Sequence, residues 1–166
     1  MSATRIVALA RDLLDASTLC AIATVASGKR AHVNTAYFAW SNDLQLVWLS
    51  EPRARHSRNL DVNYSAAIAV CDSHQTWGDA DRGLQLFGSA KRAEGTAAEA
   101  AAARYTQRFA SFDPAGLSAY AFYVFRPSRL RLFDERALGA ATFVTARVDR
   151  SGATTWEQTE IYESRS

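Results

Sequence analysis

The chain has 166 residues, 48% of them hydrophobic and 22% charged, with a mean hydropathy of −0.17. That is a globular composition, which excludes a disordered or collagen-like protein, and the length suffices to bury a core without disulfide staples. Nineteen basic against 17 acidic residues leave a formal charge of +2, too even for a protein that holds nucleic acid by bulk charge, so any anion site must be local.

Of the basic residues only Lys29 and Lys91 are lysines, a bias that a GC-rich genome would also produce. Cys20 and Cys71 stand far apart in apolar runs with no Cys-x-x-Cys spacing, the pattern of buried free thiols in a reducing cytoplasm, and no metal framework is visible. Residues 2–17 carry Arg5, Arg11, Asp12 and Asp15, and no segment approaches the roughly 20 apolar residues of a membrane span. The expectation is a soluble, unexported, cytoplasmic protein.

Ile6, Leu9, Leu13 and Leu14 fall at helical spacing, so residues 3–16 read as a short amphipathic helix that caps something. Leu19 to Ala26 and Ala31 to Trp40 are apolar and partly β-branched around Ser27-Gly28-Lys29-Arg30, which makes a hairpin. A turn at Ser41-Asn42-Asp43 leads to a third strand, Leu44 to Ser50. Pro52 breaks the extended run, and Arg53 to Val62 reads as a short helix before a strand from Ser65 to Asp72.

Residues 73–82 are polar and read as a loop, followed by a strand from Gly83 to Arg92. Thr96 and Glu99 have capping-box spacing ahead of an alanine-rich helix that runs to Phe109, with Asp113-Pro114-Ala115-Gly116 as its end. Tyr120 to Phe125 and Arg129 to Phe133 read as two strands around Arg126-Pro127-Ser128, and the last thirty residues as a strand over Ala141 to Arg147 and a polar tail. About seven strands in hairpin order with peripheral helices imply a mainly β fold, an antiparallel barrel, as one domain over 1–166.

Signature loops for dinucleotides or triphosphates, the Gly-x-Ser-x-Gly elbow and His-Glu-x-x-His are all missing from the sequence. Spacing gives His32, His56 and His74 no support as members of a hydrolytic triad, and Cys71, Asp72 and His74 lack the partner cluster a metal corner needs. The distinctive patch is Arg53-Ala54-Arg55-His56-Ser57-Arg58, of formal charge +3 in a chain that is otherwise −1. Placed directly after a strand ending at Ser50, it sets guanidinium forks and free helix amides where a phosphate would sit, Arg55 and Arg58 sharing a helix face. The alternative is a solvated face, or arginines that pair with Glu51 and Asp61. Strand alternation puts His32, Asn34, Ala36, Phe38 and Trp40 on one side and Val33, Thr35, Tyr37 and Ala39 on the other. Asn34, Thr35 and Gln85 are mid-strand polar residues that either meet a ligand's polar edge or face solvent.

The succession VNTAYFAW, QLVWLS, RARHSRNL, SAAIAV, GLQLFGSA resembles the FMN-binding split-barrel superfamily of pyridoxamine 5′-phosphate oxidase over roughly residues 5–135, leaving 136–166 as a C-terminal extension. The resemblance implies a split barrel and a homodimer with FMN in a cleft between the chains. It implies a flavin-dependent oxidoreductase without a dedicated catalytic residue, since the flavin carries the chemistry. Carried over by position, Ser50 with its neighbour Leu49 matches the phosphate-binding strand end, Arg55 the phosphate arginine, and His56 and Arg58 the basic residues after it. Asn34, Thr35 and Gln85 would approach the flavin's polar edge, and Trp40 or Trp48 would line the cleft. The family's oxidases carry an Arg and a Lys on the preceding strand where this chain has Val33 and Phe38; the missing Lys argues against pyridoxamine phosphate as substrate, and the missing Arg implies weaker FMN binding. The same segment also resembles haem-utilisation proteins on this barrel, where a histidine such as His56 or His32 ligates iron. A non-catalytic cofactor-binding dimer is the third reading; none of the three involves nucleic acid or a membrane.

Overall fold

The computed structural model describes residues 1–71, 74–113 and 117–162. In chain order the elements are α1 (Ala3–Ala16), β1 (Leu19–Val25), β2 (Ala31–Trp40), β3 (Leu46–Ser50), α2 (Arg55–Val62), β4 (Ser65–Cys71), β5 (Arg82–Arg92), α3 (Thr96–Arg108), β6 (Ala121–Asp134), α4 (Glu135–Leu138), β7 (Thr142–Val148) and β8 (Thr154–Ile161). All pairings are antiparallel, in the order β3-β2-β1-β4-β5-β6-β7-β8, and β3 also pairs with β6. Six strands therefore close into a barrel, and β7 and β8 continue the sheet beyond β6.

Alternation along each strand turns one set of side chains inward. Ile22, Phe38, Trp48, Ile68, Leu86 and Phe125 fill the barrel and are 1% exposed or less. The two open ends are stoppered by helices. Ile6, Ala10, Leu13 and Leu14 of α1 enter the same core, at the end where Asp15 accepts from Trp40 Nε1 at 3.1 Å and Arg11 donates to the Asn42 carbonyl at 2.6 Å. At the opposite end Leu60 of α2 joins the core, and Asn59 Nδ2 donates to Thr24 Oγ1 at 2.9 Å. Helix α3 lies outside the barrel. Its Ala101 and Tyr105 pack with Ala39 and Val47, and Phe109, Phe112 and Phe122 ring Tyr105 at centroid distances of 4.7, 5.0 and 5.6 Å.

Five sequence expectations change. Leu44 belongs to the turn before β3: it adopts φ +60°, donates its N–H to the Ser41 carbonyl at 2.7 Å, and buries its side chain fully. The capping box at Thr96 does not form. Gly95, with φ +53°, occupies the N-cap position, and no side chain caps the helix. The two strands expected on either side of Pro127 are one strand, β6, because the ladder is already broken there. Register shifts at Phe87/Gly88, and Ser128, left unpaired as the bulge residue, donates its hydroxyl to the Phe87 carbonyl at 3.2 Å. Much of the expected polar tail is the strand β8, held by cross-strand ion pairs from Arg129, Arg147 and Arg131 to Glu157 and Glu160 at 2.9 to 3.0 Å. Cys20 is buried as expected, but Cys71 is exposed at the end of β4; both are free thiols. The expected helix end at residues 114–116, and Asp72 of the metal-corner reading, lie outside the described residues. Among those described, no three His, Cys, Asp or Glu side chains gather as metal ligands, and no helix is long and apolar enough to cross a membrane.

Candidate anion site at the barrel mouth

Pro52 stops β3 one residue after Ser50–Glu51, and a tight turn, closed by Ala54 N–H to the Glu51 carbonyl at 3.0 Å, launches α2. Ser50 shares the inward side of β3 with Leu46 and Trp48, so its hydroxyl points into the mouth that α2 covers. There His56 Nε2 lies 2.6 Å from Ser50 Oγ, and the fully buried Ser57 hydroxyl donates to Ser50 Oγ at 3.3 Å. From β2, His32 sets its ring parallel to that of His56, with an interplanar angle of 5° and 6.4 Å between centroids. Burial, and after it the charge of His32, hold His56 below its ordinary value of 6.5.

The start of α2 is open. Its N-cap is Ala54, which has no side chain to accept from the first amides, so these keep their donor capacity and the positive end of the helix dipole. Arg55 and Arg58 are exposed, and neither guanidinium forms an ion pair among the described residues, whereas Arg53 is held by Glu51 at 2.9 Å. Of the pairing expected with Glu51 and Asp61, only Arg53 with Glu51 forms among the described residues, and Arg55 and Arg58 face solvent. The Ser50 hydroxyl, the guanidiniums of Arg55 and Arg58 and the free amides form a donor set that matches a phosphate, with the His56 imidazole beside it.

The remaining candidates divide. Leu49 turns its side chain outward into the α3 cluster, which leaves only its backbone near the mouth. Asn34 follows His32 on the inner side of β2, with its Oδ1 buried and unpartnered. Thr35 and Gln85 are exposed on the outer side, in one row across the sheet through Ala21 and Ala69. Asn34, Thr35 and Gln85 therefore do not make a single polar edge. Trp48 is fully buried and stacked on Tyr123 at 5.8 Å, and Trp40 sits at the α1 end; neither lines the mouth. Val33 is 61% exposed on the outer side and Phe38 is in the core, so no cation from either position reaches the phosphate-sized site. Sequence reasoning missed Ser57, and also the Asn59–Thr24 bond that fixes α2. Ser57 stands between Arg55 and Arg58, and its buried side follows from the same helical periodicity that exposes the two arginines.

Among the described residues, no helix covers the outer side of β1, β4, β5 and the first half of β2. Ala21, Ala23, Ala67 and Ala69 form a shallow floor there, in rows running from Val33 and Thr35 to Phe87 and Gln85. Val33, Tyr37, Leu19 and Phe87 stand around it, from 40% to 61% exposed.

The sequence profile of the family described as pyridoxamine 5′-phosphate oxidase matches residues 6–134. No curated protein matches the chain. Several solved structures share the fold. A haem-binding protein from Mycobacterium smegmatis has a TM-score of 0.71 at 20% identity over 92% of this chain, which spans 61% of that protein's length. HutZ, the haem storage protein of Vibrio cholerae, gives 0.61 at 22% over 71% of this chain and 87% of its own. A Clostridium acetobutylicum protein related to general stress protein 26, of the pyridoxinephosphate oxidase family, gives 0.69 at 12% over 91% and 99%. With a split barrel as its fold and the family profile matching most of its length, the chain belongs to the pyridoxamine 5′-phosphate oxidase family.

Proposed function

We propose that this protein binds FMN and serves as a small flavin-dependent oxidoreductase, working as a cytoplasmic homodimer. The observation that carries the reading is the donor set at the start of α2: Ser50 and His56 at 2.6 Å beside an uncapped helix end, with the guanidiniums of Arg55 and Arg58 in no ion pair among the described residues. In this reading the FMN phosphate is held by the Ser50 hydroxyl, the first amides of α2 and Arg55, with Arg58 and His56 adding positive charge. Bound FMN supplies hydride or electron transfer with a small-molecule donor. The chain's own residues bind, orient and shield, which accounts for the lack of a recognisable acid–base cluster. The alanine floor offers a flat apolar surface, and Thr35 and Gln85 offer hydrogen bonds at its rim.

The homodimer rests on that same outer face. Apolar residues exposed around a floor of alanines form a contiguous patch of the kind that marks an association surface, and a two-fold dimer covers it with its own copy. A cofactor lying at its rim would then be enclosed by both chains. Oxidation of pyridoxamine phosphate is not part of the proposal, since Phe38, standing where the resemblance implies a lysine, supplies no cation for a second phosphate.

A second reading, haem binding, draws on the half-buried His32 at the mouth and on the haem proteins that share the fold. His56 is the poorer iron ligand, because its Nε2 is already engaged by Ser50. The visible spectrum of the purified protein, followed by titration with FMN and then with haem, decides between them. Perturbed flavin bands and quenched flavin fluorescence are the expected result. A Soret band lost in His32→Ala, with no response to FMN, would replace the flavin reading by haem.

A further inference from the structure

We infer that anion binding at this mouth is coupled to proton uptake by His56, with Ser50 as the group that turns. The inference rests on the anion-holding role proposed above but not on the anion being part of a flavin. A hydroxyl has one proton to give. Ser57 Oγ donates its own to Ser50 Oγ at 3.3 Å, and with the neutral His56 ring protonated on Nδ1, Ser50 directs its proton to Nε2 across 2.6 Å. In this state Ser50 has no proton for an incoming phosphate oxygen. Protonation reverses the bond: Nε2–H donates to Ser50 Oγ, and the Ser50 proton is released to point at the anion.

The surroundings favour the neutral ring until an anion arrives. From β2 the facing group is His32, stacked on His56, and from β3 it is Ser50. From β1 it is the uncharged Thr24, already bonded to Asn59. The last residues of β5, Lys91 and Arg92, come to the same end of the barrel, where Ala90 N–H bonds the Tyr64 carbonyl. On α2 itself the neighbours are Arg55 and Arg58. Of the nearby carboxylates, Glu51 is held by Arg53, and Asp61 is exposed on α2. Burial and His32 accordingly keep His56 below its ordinary value. A bound dianion supplies the missing counter-charge, so by linkage it raises the His56 pKa, and acidification strengthens its binding.

The test is a histidine-ring NMR titration of the flavin-free protein between about pH 5 and 8, with and without inorganic sulfate, which stays a dianion across that range. His56 should titrate below 6.5 alone and move upward with sulfate. Sulfate affinity should rise up to about tenfold per pH unit on acidification between the free and bound pKa values. In His56→Gln the affinity should be flat with pH. In Ser50→Ala, which removes the donor to Nε2, His56 should titrate higher in the free protein and shift less with sulfate. A flat sulfate affinity in the unmutated protein, an unchanged slope in His56→Gln, or no sulfate binding at all would overturn the coupling. Tight FMN binding without any His56 shift sinks the coupling and leaves the flavin reading standing; rejection of FMN with the sulfate shift intact does the reverse.

Discussion

Arg55 is the residue on which phosphate recognition depends most simply. It opens α2, its guanidinium is exposed and forms no ion pair among the described residues, and no core contact of those residues relies on it. Arg55→Ala should therefore weaken FMN binding by about 1.5–3 kcal/mol, roughly 10- to 150-fold, as for the loss of a charge-assisted hydrogen bond. Its urea midpoint should stay within the range of a neutral surface substitution. Flavin fluorescence titration reads the first and chemical denaturation the second; an equal loss of both would mean that Arg55 is structural. Cys20 gives an independent check on the core. Burial pushes its thiol up to about 12, so the thiolate that reacts with an alkylating agent is scarce in the native protein. Labelling of Cys20 should require unfolding, and mass spectrometry of native and urea-treated samples checks it. At this scale Ser50, Arg55 and His56 were legible because a strand–helix junction keeps them local in sequence. The stacking of His32 on His56 was not, since it depends on how β2 and α2 meet across the barrel mouth.

The element that matters most is α2, because it both closes the barrel and presents the anion site. An alanine N-cap is a poor choice for helix stability, where Asp, Ser or Asn would contribute about 0.5–2 kcal/mol more. Open amides are what an anion needs. Ala54→Asp should raise the melting temperature while lowering FMN and sulfate affinity at least tenfold, since its carboxylate would occupy the amides and repel the ligand. Calorimetry and titration on the same variant separate the effects, and unchanged affinity would place the anion elsewhere. Asn59→Ala should cost about 1–3 kcal/mol in denaturant unfolding by leaving the buried Thr24 hydroxyl without its partner. The boundaries of α1 follow from apolar periodicity and those of β2 from the turn residues on either side of it, Ser27 to Arg30 and Ser41 to Asp43, which is why sequence and structure agree there to the residue. β6 and β8 were obscured for physical reasons: the first carries a proline at a bulge, and the second is held by charged cross-strand pairs instead of alternating apolar ones.

At the scale of the whole molecule, the described residues leave one broad face of the barrel bare, and the proposed dimer puts it to use. Ala67 lies in the middle of the alanine floor, paired across to Ala23 and Phe87, with its side chain away from the core. Ala67→Arg should leave the barrel folded by circular dichroism and halve the mass by sedimentation equilibrium. A monomer before mutation, or a dimer that tolerates the arginine, would move the interface elsewhere. The barrel itself was legible from hairpin order and turn residues; the bare face was not, because alternating alanines look the same whether they face a core or a partner. The central claim is that the mouth beside Ser50 and Arg55 holds the phosphate of a flavin. Its most direct test is to titrate the purified protein with FMN and with riboflavin, which differ only by that phosphate. FMN should bind at least about a hundredfold tighter than riboflavin, with the difference cut roughly 10- to 150-fold in Arg55→Ala. Equal affinities for the two, or no affinity for either, would contradict it.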